Sequence, residues 1–541
     1  MEGVMRKKDE EITVQDISKP FERLAYIHLQ DLLKLPPPYD KPGEEPEITE
    51  PNPEWSEKYV TELDGYIAID IPWKPKTKEE EEELVRKFLE GLRKLLDKDN
   101  NWTFLQPLML SLEYCARCQT CSEACPIYVA SGRKEIYRPT YRAEVLRRII
   151  KKYVNPAGKI FGKFVGADVE LNAKTIMRLA ELSYRCTLCR RCAQTCPLGI
   201  DNGLITREIR KLFSQEMGIA PTALHMQGTV QHLEKGSSTG LTPEGFMDIV
   251  KFIEEDIEER TGKKIKIPVD EKGADILLIH NAGEFLSWPE NVAAFAVIFE
   301  EAGLDWTLSS EIVGYDAVNY GVWYDDVQLA RIALKHAEIA RKLDVNRIVV
   351  GECGHAHKAL IVVADRIFVD EYDIPRESCL PLLWEIVRKK KLNLDPEKNN
   401  FPVTLHDPCN IVRLMGIVEP QRKVLREIAP KFREMTPNGV YNYCCGGGSG
   451  FAIMNSMNFP EFKFKVACRM KMKQILEAFQ DHIQPDVKKY VCAPCSNCKG
   501  AIRDILTHYN ATEKCGIYYG GLVELIVNAM VDVEEPFIEM H

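Results

Sequence analysis

The chain lacks the features that define several large classes of protein. No unbroken apolar run approaches the roughly 20 residues needed to cross a bilayer; the longest covers only residues 292–299. Residues 1–13 are charged and contain neither the apolar core nor the small-residue cleavage site of an export signal, which predicts a cytoplasmic start. Positive charge is not in excess. The 71 Lys and Arg against 81 Asp and Glu leave a formal charge of −10, so no general attraction to nucleic acid is expected. No glycine-rich flavin fingerprint is present either. With 541 residues, at ~150 per domain, three to four domains are expected, and a 45% hydrophobic content is enough to fill several cores.

Cysteine, by contrast, is abundant: 18 residues in a chain with no export signal, a setting that disfavours disulfides and favours metal or redox roles. Cys115, Cys118, Cys121 and Cys125, followed by Pro126, read C-x2-C-x2-C-x3-C-P. Cys186, Cys189, Cys192 and Cys196, followed by Pro197, repeat it. This is the bacterial run for a 4Fe-4S cubane, in which the fourth cysteine ligates the other cluster. The expected sets are therefore Cys115, Cys118, Cys121 and Cys196 for one cubane, and Cys186, Cys189, Cys192 and Cys125 for the second. Zinc sites more commonly use two cysteine pairs separated by a longer loop. Helix-compatible stretches at residues 143–153 and 173–183 lie between the runs and predict a helical two-cluster module that acts as a wire.

A second constellation lies near the C-terminus. Cys409 follows His406, Asp407 and Pro408 just after a strand-like stretch; Cys444 and Cys445 precede Gly446, Gly447 and Gly448; then come Cys492, Cys495 and Cys498. Adjacent thiols followed by three glycines make a loop poor in side chains, where sulfurs and backbone amides can face an inorganic cluster.

Cys409, the Cys444-Cys445-Gly446 triplet and the Cys495-Ser496-Asn497-Cys498-Lys499 run resemble the cysteine-rich CCG domain of heterodisulfide reductases and their relatives. The resemblance implies that Cys409, Cys444, Cys445, Cys495 and Cys498 hold a noncubane 4Fe-4S cluster that works directly on a disulfide. The gap from Cys445 to Cys495 is longer than is usual for the motif, and Cys492 offers a competing C-x2-C pair with Cys495.

Ahead of this domain the same order of parts occurs once more: a hydrophobic strand at residues 276–279, a helix at 329–343, a strand at 347–350 and a cysteine loop. The counterparts are 403–405, 464–479 and 489–491. In the first copy Asn281 and Ala282 stand where the leading cysteine belongs, and Cys353-Gly354-His355-Ala356-His357 replaces the closing pair. The expected fold is thus multidomain: an α-helical two-cluster ferredoxin domain followed by duplicated α/β CCG domains, with an extended N-terminal arm. The expected segments are the arm with an amphipathic helix (1–105), the two-cluster domain (106–215), a linker (216–272), a degenerate first repeat (273–395) and the cluster-bearing second CCG domain (396–541). The arm has prolines at 36–38, 42, 46, 51 and 53 among acidic residues. Thr77 and Glu80 then form a capping-box pattern ahead of a stripe of Leu84, Phe88, Leu92 and Leu95. Basic residues from Arg117 to Lys152 cluster around the first cysteine run and offer either a solvated face or a docking surface for an acidic partner or anionic leaflet.

The order of ferredoxin module and CCG pair resembles the D subunit of membrane heterodisulfide reductase and the K subunit of the Dsr sulfite-reduction membrane complex. The resemblance implies a peripheral subunit on the cytoplasmic side of the cell membrane, held by a cytochrome b-type membrane subunit and other subunits of the complex. Quinol-derived electrons would pass through two cubanes to the noncubane cluster, for reduction of a disulfide or trisulfide. The substrate would be a DsrC-like sulfur-carrier protein in one branch and the coenzyme M–coenzyme B heterodisulfide in the other. A different role within the wider family is that of an electron-transfer subunit for a glycolate, lactate or glycerol-3-phosphate dehydrogenase. His406, whose charge state is poised near neutral pH, is the expected proton donor or a second-sphere partner of a cluster sulfur. Cys353 is expected beside the noncubane site, able to form a sulfur link with substrate.

Overall fold

The computed structural model describes residues 74–101, 104–225, 230–232, 237–311, 324, 326–363, 373–451, 462–533, 535, 537, 538 and 540. The proline-rich part of the expected arm lies outside them. The chain divides into two compact units. The first holds everything up to His225 together with Gly446–Met470; the second holds most of Met226–Cys445 and Lys471–His541.

The first unit is helical. Helix Asn202–Lys211 packs against Leu105–Glu113, Pro139–Ile149 and Ala173–Tyr184, the last two overlying the stretches read as helices from their periodicity. Helix Lys78–Leu95 belongs to this unit and not to a free arm. Its stripe of Leu84, Phe88, Leu92 and Leu95 is buried, and Phe88 meets Phe213 at a ring separation of 5.7 Å. Only half of the capping box forms. Thr77 accepts from the Glu80 amide at 3.3 Å, but the Glu80 carboxylate accepts from Lys76 N instead.

Part of the basic charge expected on one face is offset inside this unit by three carboxylates. Arg117, Arg147 and Arg148 all pair with Glu144, Arg133 pairs with Glu123, Arg138 pairs with Glu135, and Arg142 is buried against Thr206.

The second unit contains two four-stranded parallel sheets with the same strand order. One runs β2-β1-β3-β4, from Trp306–Thr307, Ile276–Ile279, Arg347–Val350 and Arg376–Ser378. The other runs β6-β5-β7-β8, from Phe432–Arg433, Val403–Leu405, Lys489–Cys492 and Ile517–Gly520. Strands β1 (Ile-Leu-Leu-Ile) and β5 (Val-Thr-Leu) are buried along their whole length because both faces of a parallel sheet are covered. Parallel pairing also sends every connection across a layer, so the loops that follow β1, β3, β5 and β7 emerge at the same edge of their sheets.

One segment departs from the domain plan expected from sequence. Residues Gly446–Met470 lie within the expected CCG domain of 396–541 yet fold into the helical unit. Phe462 anchors them there, stacking near Tyr137 and under the Arg185 guanidinium, 4.6 Å from its ring centre. The helix expected over 464–479 is correspondingly interrupted, with a π-turn at Lys463–Ala467 followed by Arg469–Ala478.

Phe88→Ala removes a ring with no solvent exposure and should destabilise the helical unit by about 3–5 kcal/mol. Denaturant unfolding of the variant should show a lower midpoint; an unchanged midpoint would mean that the stripe does not carry the packing.

Candidate iron–sulfur sites

The two C-P runs are built alike in the helical unit. In each, the residues immediately before and after the second cysteine adopt the left-handed conformation: Arg117 and Gln119 around Cys118, Leu188 and Arg190 around Cys189. These turns curl each loop, and a short helix then carries the third cysteine, Cys121 in Thr120–Ala124 and Cys192 in Arg191–Gln194. Burial pushes the Cys121 thiol up to about 12, with the charges of Cys115, Cys196 and Cys125 adding to it in that order. Burial likewise pushes Cys125 to about 12, and there the cysteines that add are Cys189 and Cys186. Cys192 is raised well above its ordinary value by burial, then by Cys189, Asp201, Cys125 and Cys186. Cys196 and Cys125 therefore both act on Cys121 of the first run, and Cys125 also acts on Cys192 of the second.

Arg210 ties the second loop to the glycine segment that follows Cys445. It is fully buried, lies over the Tyr184 ring, and donates to the carbonyls of Ser183 and Cys186 and to both oxygens of Ser449. A Cβ on Gly448 would lie 2.8 Å from the Thr187 carbonyl oxygen, inside the loop between Cys186 and Cys189.

In the α/β unit the remaining cysteines collect at strand ends. Cys445 Sγ and Cys498 Sγ lie 3.5 Å apart, and a ring nitrogen of His406 stands within 4.8 Å of both; all three residues are buried. Cys444 is buried beside Cys445. Hydrogen bonding to Cys444, then Cys498, pulls the Cys445 thiol well below its ordinary value, while the same contact, with Cys495 next, pushes Cys498 well above. Cys495 N-caps helix Ser496–His508, and its sulfur accepts from the Gly354 amide at 3.3 Å. Cys409 is half-buried at the start of helix Cys409–Leu414, and its neighbours Pro408 and Asn410 flank Gly354. Cys492 takes a different place: it is the last residue of β7, paired with Gly520, and its carbonyl accepts from the His406 amide.

The Cys353 loop of the first sheet reaches this same place. Cys353 is fully buried, and its sulfur accepts from the Ala356 amide at 3.5 Å, Asn281 Nδ2 at 3.7 Å and Asn497 Nδ2 at 3.9 Å. Asn497 sits between Cys495 and Cys498 in sequence. Burial, reinforced by Cys495, pushes the Cys353 thiol to about 12. The histidines of its loop do not join it as ligands: His357 is held by the Cys353 carbonyl and the Ser378 hydroxyl, both at 2.8 Å. Burial pushes His355 and His357 down to about 4.

The surroundings of His406 shift it below the ordinary value of its residue type. Burial and then the nearby Lys471 lower its pKa, with Cys445 opposing. Lys471 itself escaped the sequence reading, because nothing in the primary structure distinguishes it from a surface lysine. Its ammonium is fully buried and contacts Asn442 Oδ1 at 2.8 Å, Met435 Sδ and Gln474 Oε1, none of them a carboxylate. Asn442 in turn approaches His406 Nδ1 at 3.4 Å. Burial brings Lys471 down to about 7 against the pull of Cys445. A buried cation beside buried thiols fits a thiolate-bound, negatively charged group, and soft sulfur donors suit an iron–sulfur cluster.

Residues 111–200 match the 4Fe-4S dicluster domain, and residues 403–503 match the cysteine-rich CCG domain. The chain is 26% identical over 488 residues to the Hdr-like menaquinol oxidoreductase iron-sulfur subunit 2 of Archaeoglobus fulgidus, a match covering 82% of this chain and 83% of that protein. It is 25% identical over 404 residues to the D subunit of the dihydromethanophenazine:CoB–CoM heterodisulfide reductase of Methanosarcina acetivorans, covering 73% and 89%. The chain thus carries both domains and is similar to the heterodisulfide-reductase-like iron–sulfur proteins. No solved structure matches it significantly. The CCG match covers β5, β6 and β7 of the second sheet but not β8, and includes the Gly446–Met470 segment assigned to the helical unit. No helix among the described residues is long and apolar enough to cross a membrane.

Asp407, beside His406, is fixed by two 2.7 Å bonds from Arg422 and one from the Gly439 amide, all buried. Arg422→Met leaves that carboxylate without its cation and should destabilise the α/β unit by about 3–5 kcal/mol. Adding Asp407→Leu should recover part of the loss in denaturant unfolding; equal instability of single and double variants would remove the pair as an anchor for the His406 loop.

Proposed function

We propose that this chain is the catalytic iron–sulfur subunit of a membrane-associated electron-transfer complex that reduces a disulfide or trisulfide with quinol-derived electrons. The observation that carries the reading is the meeting of Cys445, Cys498, Cys495 and His406 with the Cys353 loop at the strand ends of one α/β unit. The same chain carries two dicluster-type cysteine runs. The sets Cys115, Cys118, Cys121, Cys196 and Cys186, Cys189, Cys192, Cys125 would hold two cubanes. Cys409, Cys444, Cys445, Cys495 and Cys498 would hold a noncubane cluster, which supplies one-electron chemistry at sulfur when bound. The first sheet is read as a degenerate CCG repeat, with the same strand order and a surviving thiol in place of ligands. Cys353, with three donors aimed at its sulfur, would engage a substrate sulfur. His406, with a ring nitrogen near Cys445 and Cys498, would serve as proton donor or as second-sphere partner of a cluster sulfur. Lys471, when protonated, sets a positive charge beside them, and a thiolate-bound cluster would favour that form. A DsrC-like sulfur carrier on the cytoplasmic face, and a cytochrome b-type subunit as electron source, are the partners that this reading entails.

Anaerobic purification with iron counting and EPR tests it. Three four-iron clusters require about 12 iron atoms per chain, and an oxidised-state signal that responds to added thiol is expected. About eight iron atoms with no such signal would leave a two-cubane wire serving a dehydrogenase. Cys498→Ser should cost about four iron atoms while Cys492→Ser keeps them; the reverse would exchange their roles. Cys353→Ala should abolish substrate turnover with iron content unchanged, and full turnover would dismiss it. Lys471→Met should shift the midpoint of the thiol-responsive cluster to lower potential by about tenfold in the reduction equilibrium, ~59 mV for one electron. An unmoved midpoint would show that its charge is not felt.

A further inference from the structure

The helical unit exposes an apolar knob. Helix Pro139–Ile149 runs into a π-turn at Ile150–Val154, and the chain reverses into the short helix Pro156–Phe161 and the 3-10 turn Gly162–Val165. Phe164 is 96% exposed, Ile160 75% and Phe161 56%, which makes this the largest grouping of exposed apolar side chains in sequence among the described residues. The knob is fixed in shape. Gly158 packs so closely on the Lys151 carbonyl that a Cβ would lie 1.6 Å from its oxygen, and the Ala167 amide bonds back to the Gly162 carbonyl.

Its charge is one-sided. Between Glu144 and Asp168 there is no acidic residue, in a chain whose formal charge is −10. Arg147 and Arg148 are taken up by Glu144, but Lys159 and Lys163 alternate with the exposed Ile160, Phe161 and Phe164 and are themselves exposed. Lysines interleaved with aromatic and aliphatic side chains match the boundary of an anionic bilayer, where rings enter the headgroup layer and ammonium groups meet lipid phosphates. A protein socket for the same knob would need an acidic lining to match these lysines.

We propose that residues 156–166 are a lipid-contacting anchor through which this chain touches an anionic membrane surface directly, in addition to any subunit that holds it there. The anchor involves none of the cluster cysteines, so it stands or falls independently of the catalytic reading.

The test is flotation of the full, iron-loaded chain with vesicles of phosphatidylcholine alone and of phosphatidylcholine containing phosphatidylglycerol. Binding to the anionic vesicles, weakened by salt, is expected, with little to neutral ones. Ile160→Ser with Phe164→Ser should reduce that binding at least tenfold. Lys159→Gln with Lys163→Gln should reduce it roughly fivefold per lysine and flatten the salt dependence. These side chains are exposed, so iron content and cluster absorbance should not change. Failure of the unaltered chain to bind anionic vesicles, or undiminished binding by both double variants, would overturn the anchor and assign the knob to a protein contact.

Discussion

The interaction on which the rest depends is that between buried sulfur and the positive ends of its surroundings. A thiolate removed from water is costly unless donors and cations face it, and the cysteines implicated in ligation cannot be gathered by apolar packing alone. The structure answers with local devices. Cys495 sits at the start of helix Ser496–His508 and receives the Gly354 amide. Cys353 receives one amide N–H and two carboxamides. Lys471 is buried among neutral groups, an amide oxygen and a thioether among them. At Cys121 and Cys192, and at Cys353 despite its donors, burial and neighbouring sulfurs drive the thiols toward protonation, which metal binding would reverse.

The parallel sheets explain why one edge collects the chemistry. Each strand of a parallel sheet ends at the same side, so β3, β5 and β7 deliver Cys353, Cys409 and Cys495 from distant sequence positions to neighbouring loops. The two sheets share a strand order but not a set of cysteines. Where β5 leads to Cys409, β1 leads to Asn281, whose side chain caps helix Ala282–Ser287 and donates to Cys353. The loop after β1 therefore forms part of the wall around that sulfur.

The passage of Gly446–Met470 into the helical unit has a comparable logic. Three glycines after Cys445 let the backbone run against the Thr187 carbonyl, and Arg210 fastens Ser449 and the Cys186 carbonyl with one guanidinium. The segment immediately following a candidate ligand pair is therefore held to the loop of another ligand set by a buried cation and a packed aromatic ring.

Much of this was legible in the primary structure because cysteine spacing and apolar periodicity are local signals. The C-x2-C-x2-C-x3-C-P runs, the strands Ile276–Ile279, Arg347–Val350 and Val403–Leu405, and the stripe from Leu84 to Leu95 were readable from short windows. What only the tertiary structure decided involves residues far apart in sequence. The fate of the basic residues around the first cysteine run turned on single acids such as Glu144. The burial of Lys471, the depressed pKa of His406 and the desertion of the CCG domain by Gly446–Met470 depend on what surrounds each group. Cys498 stands beside Cys445 from the first turn of helix Ser496–His508, whereas Cys492 is fixed as the last residue of β7. Spacing names the sulfurs, but dielectric environment and long-range contact decide what each can do.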